Sequence, residues 1–491
     1  MMTRIIIALF IVLGFTRCTD DFQEINTNPN SPTSVPTSYI ISESERQLVN
    51  QLLGQSTLGE IGNHYAQYLS QNQYTDVTRY STQETSFYGL YRSGLQDLQY
   101  VIDVNTDEDT RGSASASGAN ANQIALAMIM QQWGFLNITD VWGDVPYTEA
   151  LQGADNLSPV YDEQETIYRG AIDKLMQARD MIVEGSVSGD LIFGGDMAKW
   201  QKFANSLILR AGLRVSNVAP DLGSEWVNEA LSNQYGVMTS NADNAELVYA
   251  GTGGLGDNPW YINSLTRTDY VVSEPLIDYL QSVNDPRLMV YAQPTANSEL
   301  SGDLLYRGKP YGVTEEQAGL TATADISFPG LEYFYSSTSP LTILTYSEVL
   351  FNQSEAAARG WIEGDAAELY RQAITASMNQ YGITDETAIA DYLDQETVQF
   401  DSDNFLQSIG EQKWLALYFQ GIEGWSEWRR LGYPELAPAP AALNASEQIP
   451  RRRAYTTDEF ALNRNQYNAA INRQFGSAGD SIDGRVWWDV D

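Results

Sequence analysis

The sequence predicts a mainly α-helical fold of tetratricopeptide-like helix pairs carrying one loop-rich, irregular insertion, and three observations lead there. First, Trp200, Phe203, Ala204, Leu207, Ile208, Ala211 and Val215 recur at i, i+3, i+4, i+7 spacing, the apolar stripe of an amphipathic helix. Trp414, Leu417, Tyr418, Ile422 and Trp425 repeat that pattern later in the chain. Second, Tyr168-Arg169-Gly170-Ala171-Ile172 returns as Tyr370-Arg371-Gln372-Ala373-Ile374. An aromatic residue followed three positions on by Ala suits a close helix–helix contact of the tetratricopeptide kind. Third, residues 221–340 are dense in Gly, Asn, Thr, Tyr and Pro and hold few long periodic runs.

Taken in chain order, Met1 to Arg4 gives a short positive start and Ile5 to Phe15 an unbroken apolar run. That run is of signal-peptide length and shorter than the roughly 20 residues that span a bilayer, so residues 1–17 read as a signal peptide. Cys18 follows and is the only cysteine, which rules out an internal disulfide and points to lipidation. Arg17 stands where a small residue is usual before a lipidated cysteine. Residues 18–38, with the Asn-, Thr-, Ser- and Pro-rich run from Asn26 to Ser38, read as anchor and extended leader. Residues 39–491 then form one domain. Helical patterning starts near Ile40, and Ala121 to Leu136 is apolar nearly throughout, as expected of a buried helix. Glu355-Ala356-Ala357-Ala358-Arg359-Gly360 supplies small residues just ahead of the second repeat copy.

Composition closes several routes. A net charge of −36 argues against nucleic acid and against lying on anionic lipid. Lysine occurs at Lys174, Lys199, Lys202, Lys309 and Lys413, so most positive charge is arginine, suited to fixed bidentate pairing. His64 is the one histidine, which leaves no set of His and Cys for a zinc site. No glycine-rich phosphate-cradling motif is present. Oxygen ligands for a structural Ca²⁺ are plentiful, but no EF-type loop is found. Only carboxylate chemistry stays open to an enzyme, and with 64 Asp and Glu residues a helical glycosidase pair has no specific signal.

The ordered motifs resemble one family. Cys18-Thr19-Asp20-Asp21-Phe22 with Asn26-Thr27-Asn28-Pro29-Asn30 is like the mature N-terminus of the SusD/RagB outer-membrane lipoproteins, in particular the second SusD-like branch. The resemblance continues through Asp140-Val141-Trp142-Gly143-Asp144-Val145-Pro146-Tyr147, Tyr346-Ser347-Glu348-Val349 and Gln412-Lys413-Trp414 to Trp428-Arg429-Arg430. Ile449 to Tyr455 and Trp487-Trp488-Asp489 complete it. It implies four tetratricopeptide-like helix pairs with an irregular ligand-facing half. It also implies a non-catalytic role, the capture of glycan (or peptide, in the RagB branch) for a SusC-like TonB-dependent transporter at the cell surface.

A saccharide is held by aromatic stacking and by planar polar side chains, which offer paired hydrogen bonds. Two segments fit. One holds Asn72, Tyr74, Asp76, Arg79 and Tyr80, after an expected helix end. The other is the glycine-rich stretch Gly251 to Tyr261, where Asp257, Asn258, Trp260 and Tyr261 are expected at an exposed loop tip. Tyr335, in Tyr333-Phe334-Tyr335, is a third candidate. Trp133, Trp200, Trp414 and Trp425 are expected in the core, His64 in a local hydrogen bond, and Arg451 to Arg453 against carboxylates. The acidic surface favours a neutral glucan or mannan as ligand.

Overall fold

The computed structural model describes residues 35–81 and 84–490. The expected signal peptide, Cys18 and all of the leader before Val35 lie outside them. Helices dominate. In chain order the first are α1 (Thr37–Leu53), α2 (Thr57–Tyr65), α3 (Gln96–Thr106), α4 (Asn120–Trp142), α5 (Gln164–Met181), α6 (Met197–Arg214) and α7 (Pro220–Ser232). The irregular stretch contributes α8 (Pro259–Ser264) and α9 (Glu274–Ser282). The later half adds α10 (Tyr346–Ala358), α11 (Ala366–Gln380), α12 (Glu386–Leu393), α13 (Phe405–Ala416), α14 (Gly421–Leu431) and α15 (Arg464–Gln474).

Capping side chains explain many of the starts: Ser56, Asp196, Thr345 and Asp365 each accept from backbone N–H groups of the first turn. Helices then pair in sequence order, α4 on α5, α6 on α7, α10 on α11 and α13 on α14. The mainly helical, tetratricopeptide-like architecture is thus as expected. The two repeat copies sit alike, with Tyr168 and Tyr370 each one turn into α5 and α11 and Ala171 and Ala373 fully buried. Tyr168 donates to Asp140 on the partner helix at 2.5 Å, whereas Tyr370 donates to the Val398 carbonyl at 2.7 Å.

Two expectations need correction. The insertion does not begin at residue 221, because α7 is a regular helix packed on α6. Gly223, Trp226, Val227 and Ala230 form its buried stripe, a pattern the surrounding glycine and asparagine mask. The stripe from Trp414 to Trp425 likewise belongs to two helices. The chain leaves α13 at Leu417, Phe419 takes φ +68°, and α14 starts at Gly421.

Two small antiparallel sheets, not anticipated, tie the irregular half to the helices. Strand β1 (Leu69–Gln71) pairs with β3 (Tyr270–Val272), in register Leu69↔Val272 and Gln71↔Tyr270. Strand β2 (Ala245–Leu247) pairs with β4 (Leu341–Leu344). Helix α2, which feeds β1, lies against α14 at Gly62 and Gly421. A Cβ on Gly62 would sit 2.4 Å from the Ile422 nitrogen, so the backbones touch where no side chain fits.

Arginine pairs internally, as its prevalence suggests. Arg210 grips Glu348 with two bonds of 2.7 and 2.6 Å, and Arg430 grips Glu355 at 2.6 and 2.7 Å. Arg214 reaches Asp140, Glu423 and Glu427, and Lys413 also meets Glu427 at 2.5 Å. These partners come from α4, α6, α10, α13 and α14, and the side chains are at most 9% exposed. Burying charge is tolerated when each carries a partner. Of the basic run, Arg451 pairs with Asp489 and Arg452 with Asp480, but Arg453 instead donates to the Tyr65 hydroxyl at 2.6 Å and to Thr85. Among the described residues, no helix is long and apolar enough to cross a membrane.

Candidate functional site

The β1–β3 ladder brings two distant segments together. Directly after β1 the chain turns at Tyr74, which takes φ +59° and is 60% exposed. A non-glycine residue holds this backbone only when neighbours fix it. Here Glu315 does so, its two carboxylate oxygens accepting from the Tyr74 and Thr75 N–H groups at 3.1 Å each. Directly before β3 lie Arg267 and Asp269, two apart in extended chain and so on one face. The Arg267 guanidinium lies over the Tyr74 ring, 5.5 Å from its centroid, and Arg267 donates to Asp269 at 2.6 Å. That carboxylate raises the already high pKa of Arg267. Gln73 also donates to Asp269. Asn72 donates to Thr323 at 2.9 Å and accepts from Lys309 at 3.0 Å. The outcome is an exposed aromatic ring ringed by amide, guanidinium, carboxylate and hydroxyl groups.

Beneath this patch Tyr270 accepts from Gln55 at 3.0 Å, and Glu60 of α2 lies close by. Burial pushes the Glu60 carboxyl up to about 7; the Tyr270 hydroxyl pulls it back and the Asp269 charge adds to the rise. His64, fully buried, makes the local bond expected of it, its Nδ1 lying 2.7 Å from the Glu60 carbonyl. Burial lowers it to about 4.

The other candidates separate. Asp76 is exposed near Tyr74 in sequence, and its carbonyl accepts from Ser81. Arg79 is half-buried and turns to the Ala441 carbonyl at 3.0 Å. Tyr80 is fully buried, edge-on to Tyr65, so it is core and no platform. Tyr335 is 6% exposed, with its hydroxyl on the Tyr270 carbonyl, and is core as well.

The second segment overturns the expectation of an exposed tip. Asn258 is buried and caps α8, accepting from the Trp260 and Tyr261 N–H groups, with Pro259 at the first helical position. Trp260 is 1% exposed. It donates to the Leu53 carbonyl at 3.0 Å and packs edge-on against Tyr270 and Phe419. The Asn-Pro pair is therefore a helix start, and the first turn carries the tryptophan inward. Asp257 closes the glycine loop by accepting from Gly253 at 2.8 Å, and Leu255 stands at the loop's surface. Tyr261 is half-buried.

Sequence reasoning missed Arg267, Asp269, Gln73, Glu315 and Thr323. Arg267 carried a signal, an arginine between two threonines two positions ahead of an aspartate in a chain poor in cations. Trp133, Trp200, Trp414 and Trp425 are core, as expected. Among the described residues, no three His, Cys, Asp or Glu side chains gather as a metal site.

Solved structures share this architecture. A chitin-binding protein is 28% identical, superposes with a TM-score of 0.77, and is matched over 93% of this chain and 100% of its own. A SusD homologue from Bacteroides fragilis is 25% identical with a TM-score of 0.79, over 93% and 100% of the two chains. A chitin-binding SusD homologue from Flavobacterium johnsoniae, 23% identical, superposes with a TM-score of 0.78 over 92% and 99%. No curated protein matches. The family described as starch-binding and associating with the outer membrane matches residues 29–456, nearly the whole chain. With those helix pairs and that match, the chain belongs to the SusD-like family of outer-membrane nutrient-binding proteins, which bind and do not catalyse.

Proposed function

We propose that this chain captures neutral oligo- or polysaccharide through the Tyr74 patch and passes it to a SusC-like TonB-dependent transporter, held at the cell surface by lipid on Cys18. The exposed, backbone-pinned ring of Tyr74 carries the reading. A pinned aromatic offers a stacking face at little entropic cost, and Asn72, Gln73, Arg267 and Asp269 offer paired hydrogen bonds to sugar hydroxyls. The net charge of −36 disfavours anionic polymers. Starch in the family's description and chitin in the 28% identical relative, both neutral, support a glucan or chitin-type ligand, with mannan as the other neutral candidate.

Affinity electrophoresis in gels containing starch, mannan or soluble chitin derivatives tests this. Wild type is retarded by one of them, and Tyr74→Ala loses most of that retardation with an unchanged far-UV spectrum. Equal retardation of both would remove Tyr74 from the site; release of shorter sugars over time would overturn the binding role.

A further inference from the structure

Trp260 has two sides. One packs on Tyr270, under the Tyr74 patch, and the other faces a partly enclosed cavity of about 170 Å³. Phe334, Tyr381 and Phe419 supply further aromatic wall, and Glu246, Asn258, Thr342, Gln380 and Gln420 its polar groups. Gln420 is 2% exposed, and neither its Nε2 nor its Oε1 has a partner. Nearby polar groups are spoken for: the Trp260 N–H goes to Leu53, and Glu246 accepts from Thr342 at 3.3 Å and Gln380 at 3.4 Å. An amide left unpaired in an aromatic interior is costly, so its persistence asks for a guest that supplies both donor and acceptor.

Size narrows the guest. A cavity of roughly 150 Å³ takes one benzene ring, so this partly open one holds a single six-membered ring with its larger substituents at the mouth, and no chain. Aromatic walls suit its C–H faces, and the Gln420 amide suits a hydroxylated edge. The unpaired Gln420 amide offers one donor and one acceptor and no charge, which suits an uncharged guest, and burial raises the Glu246 carboxyl in the same sense. We infer that the cavity behind Trp260 is a second binding site, for one uncharged monosaccharide ring held edge-on by Gln420. The choice of sugar among neutral rings rests on the glycan-capture reading; the existence of the site does not.

The test is calorimetric titration of the full chain with glucose and with N-acetylglucosamine, beside tetramethylammonium as a cationic probe of the same aromatic walls. Wild type takes up one of the sugars in preference to the cation. Gln420→Met, similar in length but unable to pair, weakens that uptake roughly tenfold and leaves polysaccharide retardation intact. Tyr74→Ala does the reverse, so failure of the surface reading and failure of the cavity reading are distinguishable. Wild-type crystals soaked in the preferred sugar place it against Gln420 whether or not the variant folds. Water alone in the soaked cavity, preference for the cation, or sugar uptake unchanged in Gln420→Met would overturn the inference.

Discussion

Replacing Trp260 by alanine separates a core residue from a ligand platform. Burying a tryptophan removes about 250 Å² from water, and at about 25 cal/mol per Å² this gives an upper bound near 6 kcal/mol. Measured truncations of buried aromatic rings cost about 3–5 kcal/mol. Trp260 already borders a cavity of about 170 Å³, so part of its surface has no packed neighbour to lose. The lost bond to Leu53 acts the other way, leaving a buried carbonyl unpaired. The balance is a loss of about 4 kcal/mol for Trp260→Ala, and of about 1–2 kcal/mol for Trp260→Phe, which keeps a ring and drops the N–H. Urea unfolding followed by far-UV circular dichroism reads both. An unshifted midpoint in Trp260→Ala, together with lost glycan retardation, would refute the core assignment and restore an exposed tip.

Three further outcomes follow from the interior. Arg430→Leu takes from Glu355 its two-bonded partner, leaving Arg359, and removes one of three cations from Glu427, and is expected to cost about 3 kcal/mol; exposed Arg169→Ala, which breaks only its pair with Glu165, is expected to cost under about 0.5 kcal/mol in the same urea assay. Gly62→Ala forces α2 off α14 and is expected to lower the unfolding midpoint, against no loss for the control Gly112→Ala, where a Cβ meets no atom and the backbone is not left-handed. Glu60 titrates near 7 in the folded chain against an ordinary 4.5, so the folded state holds the extra proton between those values. Its contribution is then lost as pH rises through that window, and Glu60→Gln should gain up to about 3 kcal/mol on wild type between pH 4.5 and 7.5. Parallel stability curves for the two would refute the raised carboxyl.

Much of the scaffold was legible because it rests on local rules. A 3.6-residue apolar period marks α6 whatever it packs against, and the repeated Tyr-x-x-Ala-Ile marks α5 and α11 in the same way. The insertion was less so, since β1 and β3 pair across some two hundred residues and neither is longer than three. Such pairing leaves no period to count. In the candidate site, Asn72 and Tyr74 were found from composition alone, while Glu315 and Arg267 reach them only through the folded register. Trp260 misled because Gly-rich sequence, then Asn-Pro, reads equally as loop or as cap, and only the Leu53 carbonyl decides which way the ring turns.

The buried ion pairs have a consequence for how the chain reaches its final state. Arg210 finds its carboxylates, Glu348 and Glu423, only in the later half of the chain, more than a hundred residues on. A half-assembled scaffold holds naked charge in an apolar interior, a condition more expensive than remaining open to water. Such intermediates are disfavoured, which couples α6 to α10 and α14 during assembly. The earlier half of the scaffold is thus completed electrostatically by the later half, and a cut between them would leave both with unpaired buried charge.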